Sequence, residues 1–158
     1  MDEDTNGHVD NFACFLSPGK VALAWSADGS DEQHGISAEA LRVLEGETDA
    51  RGRRLEVVKV PCPAPMYLTE EEAASLRKGG GFVERKAGER LAASYINFYI
   101  SNATVVVPAF GDPNDEVAAS LLREAFPTRK VVSVYTRNML IGGGNIHCQT
   151  QQVPALPR

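Results

Sequence analysis

The alternation of apolar and polar positions divides the chain into two passages that follow one order. In the first, NFACFL (11–16) predicts a strand, SPGK (17–20) a turn and VALAWS (21–26) a second strand. Proline and glycine pre-set the dihedrals that a tight reversal needs. Ile36, Ala40, Val43 and Leu44 then recur at helical spacing, which predicts a helix carrying them on one face. LEVVKV (55–60) closes the passage as a third strand, ended by Pro61.

The second passage repeats this order. SYINFYI (94–100) predicts a strand, SNA (101–103) a turn and TVVVPAF (104–110) the next strand. Asp112 suits a helix N-cap with Pro113 at the first helical position, and Val117, Leu121 and Ala125 share a face of the helix that follows. KVVSVY (130–135) is the closing strand. Strand, turn, strand, helix and strand thus occur twice, offset by roughly 80 residues, in pattern rather than in residue identity. This predicts a modular α/β repeat. Between the passages, PCPAP (61–65) reads as an extended connector, and Thr69 with Glu72 forms a capping-box signal for a short helix ending near Lys78. KGGGF (78–82) reads as a flexible loop, and residues 139–141 open a third unit. A repeat protein ordinarily ends on a complete, capped repeat, so the chain is expected to belong to a larger architecture.

Composition narrows the partners. The 158 residues suit one domain with a sizeable core. Acidic residues outnumber basic ones 21 to 16, for a net charge of -5, and the basic ones form no cluster of the kind a nucleic-acid groove needs. The acidic excess suits a small cationic substrate and plain solubility alike. No stretch approaches the ~20 apolar residues of a membrane span. The acidic, polar MDEDTNGHVDN is unlike a signal or transit peptide. Cys14, Cys62 and Cys148 are odd in number and lack CxxC spacing, so neither a disulfide framework nor a zinc site is expected. Free thiols fit a reducing compartment, and the expectation is a cytoplasmic protein.

Two motifs could carry chemistry. In GHVDN (7–11), an extended backbone would put His8 and Asp10 on the same side. A carboxylate beside an imidazole fixes its tautomer and supports acid–base work. The same residues also suit a solvated turn cornered at Gly7. In LIGGGNIHCQTQQ (140–152), Cys148 follows three glycines and His147 and precedes a polar run. Glycine permits close approach of backbone to a ligand, and a lone cysteine with His and Asp far away in sequence is a nucleophile pattern. The other reading is an unreactive thiol in a polar tail. Cys14, within a strand, and Cys62, between prolines, lack this setting. Trp25 reads as core, and His34 as part of a solvated loop.

With His8, Asp10 and Cys148 in hand, DEDTNGHVDNF, LAASYINFYISNATVVVPAFGDPNDE and GGGNIHCQTQQ together resemble agmatine deiminase. That family belongs to the guanidine-modifying superfamily, with the arginine and peptidylarginine deiminases. DARGRRLEVVKVPCPAPMYLTEEE is similar to its plant and algal form. The resemblance implies an α/β fold, part of a five-bladed propeller of ββαβ modules with the site on the central axis. It implies that Cys148 attacks the guanidinium carbon, and that His8 protonates departing ammonia and then activates water. Asp10 and Asp4 would grip the guanidinium, and Asn97 falls at the substrate site without a firm role. No metal or organic cofactor is implied, and the reaction would convert agmatine and water to N-carbamoylputrescine and ammonia. Relatives carry a long N-terminal portion before the His motif, with another guanidinium-binding carboxylate. Residues 1–158 are therefore expected to form a single partial domain, the C-terminal blades, partnered by a second copy or by the missing N-terminal half. Gln149 departs from the larger aliphatic residue usual after the cysteine. The alternatives are a non-catalytic, partner-dependent fragment, and a deiminase acting on arginine or peptidylarginine.

Overall fold

A hairpin, a helix and a returning strand occur twice in the computed structural model, which describes residues 7–76 and 84–154. The first module comprises β1 (Ala13–Ser17), β2 (Lys20–Trp25), α1 (Glu32–Gly46) and β3 (Glu56–Pro61), with sheet order β1-β2-β3. β1 and β2 pair antiparallel across Pro18 and Gly19, whereas β2 and β3 are parallel. A parallel neighbour cannot be reached by a tight turn, and α1 supplies the crossover. The short helix α2 (Glu70–Ser75) follows. The second module is β4 (Tyr99–Ile100), β5 (Thr104–Ala109), α3 (Asn114–Ala125) and β6 (Lys130–Tyr135), with order β4-β5-β6 and the same strand senses. A last short helix, α4 (Arg137–Leu140), leads into turns.

The central strands are the most apolar because both of their faces are covered. Val21, Ala22, Leu23 and Ala24 of β2 are buried, as are Val105 and Val107 of β5. α3 touches β3 as well as β5 and β6, so it packs the second module onto the first. The buried residues of α3 are Ala118, Ala119 and Leu122, and the two alanines are small enough to let its backbone come close to its neighbours.

Several expectations shift for identifiable reasons. The predicted strand over 94–100 pairs with β5 only at Tyr99 and Ile100. Before that, Ser94 Oγ accepts from the Ile96 N–H (3.1 Å), an in-chain bond that competes with a ladder. The Tyr95 hydroxyl donates to Asp115 (2.7 Å), and residues 94–98 run buried rather than paired. The α3 face is rotated from the expected one: Val117 is exposed, and the buried residues are Ala118, Ala119 and Leu122. On α1, Ile36 and Val43 are exposed, whereas Ser37 is buried and bonds the Ala24 carbonyl (2.9 Å). In both helices a small residue wins the inner position because it lets the backbone approach the sheet. His34 lies in α1, not in a loop; its Nδ1 pairs with the Ser26 carbonyl (2.8 Å) and its ring meets half-buried Trp25 edge-on.

The capping box forms as expected, with Thr69 Oγ1 accepting from the Glu72 N–H and the Glu72 carboxylate from the Thr69 N–H. Asp112 accepts from the Asn114 N–H (2.8 Å) at the start of α3, and its other oxygen holds the Ala64 N–H of the connector. The expected loop at 78–82 lies outside the described residues. Residues 139–141 belong to the α4 turn and its exit rather than to a new strand.

Asp31 joins α1 to the segment before β4. It caps Gln33 N–H (3.0 Å) and receives Arg90 through its two terminal guanidinium nitrogens, at 2.6 and 2.8 Å. The Arg90 bonds hold the Asp31 carboxyl down at about 2, against the opposing effect of burial. A depressed carboxyl pKa contributes stability above the unfolded value and loses it as pH falls through the folded one. Asp31→Ala is therefore expected to lower urea stability by about 1–3 kcal/mol at neutral pH. That difference should persist down to about pH 4 and shrink toward pH 2. Urea titrations at pH 7, 4 and 3 check this; an equal loss at pH 7 and pH 3 contradicts it.

Candidate active site

Three segments, far apart in sequence, meet at one point. The first is the approach to β1. Residues Val9–Asn11 form a 3-10 turn, closed by Asn11 N–H to the His8 carbonyl (3.1 Å) and Phe12 N–H to the Val9 carbonyl (3.0 Å). The extended geometry that would align His8 with Asp10 is thus absent. His8 is exposed and stands within Coulombic reach of the Asp10 carboxylate, without a hydrogen bond to it.

The second segment is the buried run before β4. Asn97 is completely buried, and its side chain reaches both of the other segments. Its Oδ1 accepts from the backbone N–H of His147 (2.8 Å) and Cys148 (3.4 Å). Its Nδ2 donates to Asn11 Oδ1 (2.9 Å), to the Asp10 carbonyl (3.4 Å) and to Cys148 Sγ (3.1 Å). Two amide donors on one end and three acceptors on the other fix the orientation of this amide.

The third segment is the turn that presents Cys148. Two arginines hold α4 ahead of it. Arg137 forms a two-nitrogen pair with Glu72 (2.6 and 2.9 Å) and donates to the Tyr67 carbonyl (3.0 Å). That pairing holds the Glu72 carboxyl at about 2. Arg85 donates to the carbonyls of Leu140 (3.3 Å) and Ile141 (2.7 Å), satisfying acceptors that the end of a helix leaves open. After Gly142, Gly143 and Gly144 the chain turns, with Gln149 N–H bonded to the Asn145 carbonyl (3.2 Å). One of the three glycines makes the room. Gly144 has φ +91°, and a Cβ there would lie 2.9 Å from Cys148 Cβ and 3.0 Å from its Sγ.

At the meeting point, Asp10 Oδ2 accepts from His147 Nδ1 (2.8 Å) and from the Cys148 thiol (3.3 Å). The carboxylate has no proton to give, so the Nδ1 of His147 carries the hydrogen. Burial pushes the Asp10 carboxyl up, but the bonds from His147 and Cys148 and the charges of His147 and His8 hold it below the usual value. Oδ1 of the same carboxylate is buried and has no partner among the described residues. The imidazole beside Asp10 is therefore His147, which the sequence offered only as a neighbour of Cys148. Its adjacency to the cysteine after a glycine run was the available signal. Asn11 gave none.

The remaining expected residues sort plainly. Asp4 lies outside the described residues. Asn97, expected at the substrate, has both ends of its amide occupied by protein groups. Of the three thiols only Cys148 is exposed. Burial raises the Cys62 thiol to about 11, and burial with the Asp10 charge raises that of Cys14. A cavity of about 230 Å³ lies beside the site; it is lined by Asn11, Phe12, Met66, Arg90 and Ser94 but by neither Asp10 nor Cys148.

A family model described as Porphyromonas-type peptidyl-arginine deiminase matches residues 1–154, nearly the whole chain. The chain belongs to that family. Pseudomonas fluorescens agmatine deiminase is 48% identical over 156 residues, which are 99% of this chain and 42% of the relative. Enterococcus faecalis agmatine deiminase superposes with a TM-score of 0.87 at 41% identity, covering 95% of this chain and 41% of the solved one. A C. jejuni agmatine deiminase solved with substrate bound, in a cysteine-to-serine variant, superposes at 0.71 with 27% identity, over 95% and 38% of the two chains. The chain thus spans about two-fifths of the length of the deiminases it matches.

In this deiminase-family chain the steric role of Gly144 can be tested directly. Gly144→Ala should slow alkylation of Cys148 by at least about tenfold, because a displacement of about 1 Å suffices for such losses. It should also cost about 1–3 kcal/mol in urea stability. Gly29→Ala, where a Cβ meets nothing within 4 Å, should change neither. Peptide-mapped iodoacetamide kinetics and urea titration provide the readout; parental reactivity in Gly144→Ala contradicts the steric account.

Proposed function

We propose that this chain carries the nucleophile-bearing part of an agmatine deiminase, a hydrolase of amidine C–N bonds that releases ammonia from agmatine and leaves N-carbamoylputrescine. The observation that carries this reading is the pairing of a thiol with a carboxylate whose second oxygen, Asp10 Oδ1, is buried and has no partner among the described residues. A buried carboxylate oxygen without a donor is costly, and a guanidinium supplies planar N–H donors at the spacing a carboxylate accepts. With one guanidinium nitrogen on Oδ1, its carbon would come to lie near the Cys148 sulfur.

The chemistry then runs in two displacements. The Cys148 thiolate attacks the guanidinium carbon, and the C–N bond to a terminal nitrogen breaks as that nitrogen takes a proton and leaves as ammonia. Water next attacks the amidino-thioether carbon, the C–S bond breaks, and the ureido product and the thiol are released. Delocalised charge makes the guanidinium carbon a poor electrophile, which is why a strong sulfur nucleophile and a covalent intermediate suit the task. His8, exposed and within Coulombic reach of Asp10, is assigned the proton transfers on the resemblance of GHVDN to the family. The remaining length of the relatives is proposed to complete a five-bladed propeller and to supply the further substrate carboxylate.

A second reading is favoured by the family description itself, which specifies peptidyl-arginine. The two readings share the guanidinium step and differ in what flanks the substrate's tail. The test is ammonia release from agmatine, arginine and a peptidyl-arginine, with the longest chain that includes residues 1–158. Agmatine should be the best substrate by kcat/KM, and Cys148→Ser should lower turnover by at least about a thousandfold. Turnover retained in Cys148→Ser would sink the mechanism, and preference for a peptidyl-arginine would transfer it to the second reading. Because Asp10 is held below its ordinary 3.8, guanidinium binding should not weaken on its account until pH drops below that value.

A further inference from the structure

Two hydrogen-bond donors share one oxygen at this site, and they want opposite things of it. Asp10 Oδ2 accepts from His147 Nδ1 at 2.8 Å and from Cys148 Sγ at 3.3 Å. The thiol must lose its proton to act, and a full negative charge about 3 Å away opposes that loss. A second donor on the same oxygen draws its charge away from the sulfur. It also pins the carboxylate by Oδ2, which leaves Oδ1 as the oxygen without a partner among the described residues.

We propose that His147 is a positioning residue for the nucleophile. Through Nδ1–H it holds Asp10 Oδ2, relieves the Cys148 sulfur of that oxygen's charge, and keeps Oδ1 turned to the substrate. The backbone is built for this: Asn97 Oδ1 binds the N–H of both His147 and Cys148, so imidazole and sulfur are set by one acceptor. The imidazole is partly exposed, at 42% for its side chain, so it can exchange protons with solvent. Among the described residues, two other titratable groups act on the pair. His8 acts on Asp10 from the turn before β1, and the Cys14 thiol on β1 feels the Asp10 charge. Arg85 stands by Gly143 but directs one guanidinium nitrogen to the Leu140 and Ile141 carbonyls.

This inference rests on reading Cys148 as the nucleophile, and its test reads the thiol itself, without turnover. The pH dependence of iodoacetamide labelling at Cys148, followed by peptide mapping, gives the midpoint at which the thiolate forms. His147→Ala should move that midpoint up by about one pH unit, because the thiol then ionises beside an uncompensated carboxylate. His147→Asn keeps an N–H near the Nδ1 position and should recover at least half of the shift. In an Asp10→Asn background, His147→Ala should move the midpoint by less than about 0.3 unit, since the effect passes through Asp10. An unmoved midpoint in His147→Ala overturns the proposal, as does an equal shift with Asp10 neutralised or a failed rescue by Asn. Circular dichroism on each variant separates these outcomes from misfolding. If labelling behaves as stated while agmatine is not turned over, the positioning role stands and the assignment of substrate fails.

Discussion

The site depends on the burial of one neutral amide. Asn97 is fully enclosed, and an enclosed amide must find partners for both ends or cost on the order of 1–3 kcal/mol per unmade bond. Every partner its side chain finds belongs to the site: the backbone of His147 and Cys148, the side chain of Asn11, the Asp10 carbonyl and the Cys148 sulfur. Satisfying this group and assembling the site are the same event. It also explains why the chain forgoes a longer strand ahead of β4. A residue in a regular ladder would offer its amide to one sheet face, whereas the bend at residues 94–98 carries it inward to two other segments.

The rest of the fold keeps that amide in place. Ile96 and Phe98 on either side are buried, and Phe98 meets Phe126 from the end of α3 edge-on. Tyr95 is tethered by Asp115, whose carboxylate also gathers the N–H groups of Phe110, Gly111 and Asp112 at the start of α3. On the opposite flank, Arg137 and Arg85 hold the two ends of α4, from which the Cys148 turn departs. The reactive groups sit on turns, but the Asn97 amide ties both turns together and the Arg137–Glu72 pair anchors the helix ahead of the second, which is how a loop site acquires a fixed geometry.

The electrostatics follow from this packing. A single carboxylate presents two unequal oxygens, one bonded to an imidazole and a thiol and the other without a partner among the described residues. The Cys14 and Cys62 thiols lie in half-buried settings that raise their pKa, and only the Cys148 thiol is exposed beside ordered donors. A planar cation is the ligand this asymmetry suits.

The sequence alone determined the module. Apolar runs bounded by Pro-Gly and Asp-Pro signals gave β1, β2, β3, β5 and β6 to within a residue or two, and Thr69 with Glu72 gave the cap of α2. Such signals are local, because a strand's pattern or a helix cap is written in its own few residues. The sequence also singled out Asp10, Asn97 and Cys148, which the structure brings together. The inward faces of α1 and α3 escaped it, since Ser37, Ala118 and Ala119 face inward by being small enough for close packing, a property of the neighbour as much as of the residue. The partner of Asp10 escaped it for the same kind of reason. His8 is two residues away along the chain, yet a 3-10 turn separates the two, and His147 arrives from the far end of the sequence. Residue types and local geometry are legible in one dimension. Which imidazole meets which carboxylate is settled only when a buried amide draws three segments to one point.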